Sequence, residues 1–226
     1  VRTMRFTIRD MFLVFILPFI SGTSIFLIGA TAYILKPNTR SSWVFFLMCL
    51  FLGIYIVSGV EIQTTYFLVH LHYLIITPMP AAMLHMGLVF PERKQLLVRF
   101  PWLENLVYLP ALFIAAGFQA YLIDYEFAAA RSWLPAIKAI TGIKTLFTFS
   151  CVLILIGLLC HSFFKAGSTV AKTRAGMVLG GITMAFLPTV IIMVLVHFFK
   201  FDFPWNFLPF FGIFFPASIA YSIVRH

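Results

Sequence analysis

The chain has 226 residues, of which 62% are hydrophobic and 10% charged, with a mean hydropathy of +1.03. A water-soluble domain has about a quarter of its residues charged, so this composition excludes one and predicts an all-α integral membrane protein. The net charge of +9 is then a matter of loops facing a bilayer rather than of nucleic acid, and no nucleic-acid partner is expected.

A membrane-crossing helix needs about 20 mostly apolar residues. Seven segments meet that length, at about 11–35, 43–62, 68–90, 105–124, 134–163, 177–199 and 207–224. The expected fold is a single seven-transmembrane helix bundle over residues 1–226. The first segment follows "RFTIRD" and ends in "KPNTRSS"; the second ends at Glu61 and Gln63. The third opens with His70 and His72, contains Pro78 and Pro80, and closes in "LHMGLVFPERK", which includes His85. The fifth carries Lys138, Thr141, Lys144 and Thr148 and gives way to "KAGSTVAKTR". The sixth holds a Gly176/Gly180 GxxxG pair, Pro188 and His197, then breaks in "KFDFPWN". The seventh contains Pro209 and Pro216 and ends in "FFPASIAYSIVRH".

All four tryptophans, Trp43, Trp102, Trp133 and Trp205, fall just before a segment, at headgroup level. Cys49, Cys151 and Cys160 lie inside apolar runs and read as small buried hydrophobes. Nine basic residues lie in the connections on the side of the C-terminus, among them Arg40, Arg93, Lys165 and Arg225, against six on the other side. The positive-inside rule therefore predicts the N-terminus outside and the C-terminus in the cytoplasm.

Taken in order, "RFTIRD", "LHMGLVFPERK", "KTRAGMVLGGITMAFLP" and "FFPASIAYSIVRH" resemble the seven-helix N-terminal sensory region of bacterial sensor histidine kinases. The same kind of region stands ahead of serine phosphatase and nucleotide cyclase outputs. Ile219, Ala220, Tyr221, Ile223 and Arg225 match that family's closing pattern. The resemblance implies a multi-pass protein of the bacterial inner membrane and a signal-transduction input module. It also implies a fragment of a longer chain, with a covalently linked cytoplasmic effector after His226, room for an extracytoplasmic domain before Val1, and a homodimer. Pro216, Tyr221 and Arg225 are then the expected signal relay.

Ionisable groups inside spans are costly, and each is a candidate for function unless it reaches water. Glu61, His70, His72, Lys144 and His197 gather toward the expected outer side, as candidate ligand-binding residues for an anionic or zwitterionic small molecule. Lys144 is about ten residues into its segment, roughly 15 Å along the axis, and Thr141 and Thr148 share its helix face at spacings of three and four. Snorkelling into headgroups is the competing account, favoured for Lys138, His70 and Asp202. The 28 phenylalanines suit a lipid or other apolar ligand equally well. His70 and His72 point about 200° apart on a helix, which prevents chelation from one face, so no metal is expected. His85 reads as a helix–helix hydrogen-bond partner.

No HExxH, serine-protease context, phosphate-binding glycine loop or retinal-bearing lysine in the last segment is present, so the chain itself is expected to be neither an enzyme nor the holder of a cofactor. Two functions remain: a sensory input module, and a small secondary transporter or channel. Against transport, the sequence offers no inverted repeat or paired broken helices.

Overall fold

The computed structural model describes residues 8–62, 65–126, 134–199 and 207–225. Gln63, Trp133, Lys200, Asp202 and Trp205 lie outside the described residues, as do the side chains of Arg9 and His197. The described residues are helical and contain no strand. Seven helical spans are long and apolar enough to cross a membrane: Phe12–Leu35, Arg40–Ile62, Val69–Val89, Leu103–Asp124, Pro135–Lys165, Thr169–Val196 and Leu208–Arg225. The chain is thus a multi-pass membrane protein with the expected number of spans. The largest shift is in the sixth, which begins at Thr169 rather than near 177. "TVAKTRAG" is too basic for hydrocarbon, but its Ala, Lys and Arg favour helix and it contains no proline, so the helix continues past the apolar stretch.

Three spans are irregular at prolines. The first opens as a π-helix, Phe12–Ile16, and becomes α-helical at Leu17, immediately before Pro18. The wider turn accommodates a residue that lacks an N–H and collides with the preceding turn. The third span divides at Thr77 into Val69–Ile76 and Pro78–Val89, the second piece opening on proline. The seventh divides into Leu208–Phe211 and Phe214–Arg225, with Gly212 and Ile213 between them. Pro188, by contrast, is carried inside an uninterrupted helix, Thr169–Phe199. Both interruptions are slight: Thr77 (φ −83°, ψ −44°) and Gly212 (φ −57°, ψ −21°) keep right-handed helical backbone angles.

The second span packs on the first and on the third, the third on the fifth, the fifth on the sixth, and the sixth on the seventh; the seventh closes the ring against the first. The fourth lies outside this ring, against the third and fifth. The third span is central and the most buried of the seven. Its Ala82 and Met86, with Phe90 just past its end, share a core with Phe45, Met48, Leu155, Val178, Phe215 and Ile219 from four other spans.

Lipid is as apolar as these side chains, so helices here associate through close fit more than through burial of greasy surface. Small residues permit the approach. A Cβ on Gly22 would stand 2.8 Å from the Gly53 carbonyl oxygen, and one on Gly29 would stand 3.0 Å from Cys49 Sγ. These contacts weld the first span to the second. Between the sixth and seventh the contact is made by Gly181, against Ser218 and 3.0 Å from the Phe214 carbonyl oxygen. Gly180, half of the GxxxG pair, faces open space, whereas Gly176 meets the Phe163 ring of the fifth span. The outward faces of the fifth and sixth spans present Ile143, Leu146, Phe149, Met184, Leu187 and Val190 to lipid.

Candidate functional site

Seven antiparallel crossings bring the ends of the odd-numbered spans and the starts of the even-numbered ones to one end of the bundle, called here the basic end. The opposite end holds Glu61, His70 and His72.

At that opposite end the polar groups are largely committed to one another. Glu61 turns back over the connection to the third span: its carboxylate accepts from the Leu68 N–H at 2.7 Å, from the Phe67 N–H and from the Thr65 hydroxyl. This holds a sharp reversal in which Tyr66 takes a left-handed conformation, φ 61°. His70 clamps the third span to the fourth. Its Nδ1 lies 2.7 Å from Gln119 Oε1, and Gln119 Nε2 donates to the His70 carbonyl at 2.8 Å. His72, two residues on, faces the second span, where Nδ1 lies 3.0 Å from Ser58 Oγ and the ring packs on Tyr55 at 5.1 Å. Opposite directions for these two histidines follow from their spacing.

Lys144 is half-buried on the fifth span and within electrostatic range of His72. Thr148 is half-buried, and Thr141 is exposed, its carbonyl accepting from Thr145. The structure thus brings Ser58, Tyr55 and His72 together, with Lys144 within electrostatic range of His72 only, and places Glu61 and His70 in separate contacts. Among the described residues no group of three or more His, Cys, Asp or Glu side chains is arranged to hold a metal.

The basic end carries a constellation that the sequence did not single out. Glu104, in the first turn of the fourth span, is 1% exposed. Arg93, in the connection after the third span, donates to its Oε1 at 2.9 Å, and Arg40, opening the second span, pairs with Oε2. His85 of the third span completes the set, with Nε2 3.7 Å from Glu104 Oε2 and Nδ1 3.2 Å from the Tyr108 hydroxyl. The carboxylate beyond Nε2 favours the tautomer with its proton there, so that Tyr108 donates to Nδ1. Ser41 adds a bond from the second span to the Val89 carbonyl at 3.3 Å.

A lone buried carboxylate is strongly disfavoured, and the two guanidiniums are what make Glu104 tolerable. Both arginines remain partly exposed, 58% for Arg40 and 42% for Arg93. They can exchange the carboxylate for water or headgroups at modest cost, whereas Glu104 cannot. Only one clue to this site was present in sequence, an acid at the very start of an apolar run.

Of the relay candidates, Tyr221 and Arg225 lie at the same end, whereas Pro216 lies near the middle of the seventh span. Pro216 is buried in the first turn of Phe214–Arg225. Tyr221 and Arg225, four residues apart, form an exposed pair in which the guanidinium bonds the phenol oxygen and lies 5.4 Å from the ring centre.

Compared with protein-family models, curated proteins and solved structures, the chain matches none.

Proposed function

We propose that this chain is a membrane-embedded sensory input module, with its N-terminus outside and its C-terminus in the bacterial cytoplasm. A stimulus acting from the outer side or within the membrane shifts a two-state bundle, and the seventh span carries the shift through Pro216, Tyr221 and Arg225 to a covalently linked output. The observation that carries this reading is the buried Glu104, held by two partly exposed arginines at the end of the bundle where the seventh span leaves it.

Such a carboxylate gives the bundle a bistable element, because its partners come from different segments and each can be released to water. The central third span runs between the two polar ends: His72 meets Ser58 at one, within electrostatic range of Lys144, and His85 faces Glu104 at the other. Its break at Thr77 lets the halves tilt separately. A ligand near Lys144 and His72 drives the change only if it binds the two arrangements with different affinity.

The coding sequence beyond His226 tests this reading. A coiled segment followed by a kinase, phosphatase or cyclase domain supports it; a stop codon contradicts it. The interrupted third and seventh spans favour a second reading, a small secondary transporter, since broken spans often border substrate sites. Substrate flux in proteoliposomes, abolished by Lys144→Ala, supports that alternative.

A further inference from the structure

The largest of the described cavities lies at the basic end, about 670 Å³, between the connection after the third span and the end of the fifth. The other described cavities are lined mainly by apolar side chains. This one is two-sided. Leu88 and Leu158 line it with apolar surface, while Arg93, Lys94, Lys165 and His161 bring cationic or hydrogen-bonding groups. Glu92 is the one carboxylate on its wall.

Two of the cations are held in place by the fold, and Lys165 is exposed beside them. Lys94 hydrogen-bonds Ser162 of the fifth span, and Arg93 is anchored on Glu104. Burial pushes the Lys94 ammonium below its ordinary value, with Glu92 drawing it back, so an anion in the cavity would improve its surroundings. Leu96, on the cavity wall, is exposed, an apolar side chain beside the cations as at a membrane interface.

We propose that this cavity binds the phosphate headgroup of an anionic phospholipid, its glycerol portion resting on the leucines and its phosphate between Lys94 and Lys165. The volume exceeds what one phosphate fills, and the apolar half has no use for a free ion. A lipid reaches the site sideways from the bilayer, where basic pockets at helix ends commonly take headgroups. The site requires only that the spans lie in a bilayer, and does not depend on the sensory reading.

The test is native mass spectrometry of the full chain from mild detergent, with dioleoyl-phosphatidylglycerol and dioleoyl-phosphatidylcholine offered in equal amounts. The wild-type chain is expected to retain the glycerol lipid about tenfold over the choline lipid. Lys94→Gln with Lys165→Gln should abolish that preference at an unchanged far-UV spectrum, and Glu92→Gln, which leaves the lysines intact, should increase it. Equal retention of the two lipids, or a preference untouched by all three substitutions, overturns the proposal. So does displacement of the lipid by millimolar inorganic phosphate, which would assign the site to a soluble ion.

Discussion

Arg93 donates to Glu104 across 2.9 Å, joining the connection after the third span to the first turn of the fourth. Because Glu104 also pairs with Arg40, one carboxylate ties three chain segments into a unit. Replacing either arginine by alanine leaves the other in place and should cost about 1–2 kcal/mol. Arg40→Ala with Arg93→Ala strands a buried charge and should cost about 3–5 kcal/mol, more than the two single losses together. Thermal unfolding in detergent micelles measures this; simple additivity would show that the two arginines act independently.

The sixth and seventh spans meet at Gly181, not at the GxxxG pair. Gly181→Ala places a methyl on Ser218 and should destabilise by about 1–3 kcal/mol, with partial recovery in Gly181→Ala/Ser218→Gly. Gly180→Ala, which meets nothing within 4 Å, should be neutral or slightly stabilising. Equal losses at both positions would place the contact elsewhere. Denaturation by titrated sodium dodecyl sulfate distinguishes these outcomes.

Tyr66 adopts a left-handed backbone while its side chain is 63% exposed. A Cβ in that conformation costs about 1–2 kcal/mol, and glycine removes the cost at little loss of contact. Tyr66→Gly should therefore stabilise the chain by about 0.5–1 kcal/mol, seen as a higher unfolding midpoint. A lower midpoint would mean that the phenol makes contacts worth more than the backbone penalty.

Gln119 satisfies both Nδ1 and the carbonyl of His70. Gln119→Leu should cost about 1–2 kcal/mol and loosen the fourth span from the third, detectable as faster hydrogen exchange at the carbonyl-bonded end of the third span. Unchanged exchange would show that apolar packing alone holds that pair of helices.

The seven crossings were legible because the bilayer imposes a length and an apolar composition that few other folds share. The opposite directions of His70 and His72 were legible for a similar reason, since helical spacing alone fixes them. The Glu104 site was not. Arg40, Arg93 and Glu104 lie in three different segments, and the two arginines read as ordinary interfacial charges until the fold superposed all three. Nor could the sequence locate the close contact of the sixth span, where three glycines stand within six residues and only the azimuth of the helix selects Gly181. Proline positions showed where breaks were permitted but not where they occur: Pro78 opens a new helix, whereas Pro188 is absorbed.

In the proposed mechanism the bundle has two arrangements governed by the Glu104 site. Pulsed electron resonance would test it most directly, in lipid nanodiscs with spin labels at the exposed positions Val98 and Val224 and with Cys49, Cys151 and Cys160 replaced by alanine. Two distance populations whose ratio shifts in Glu104→Gln are the predicted result. A single distribution, identical with and without the substitution, would contradict it.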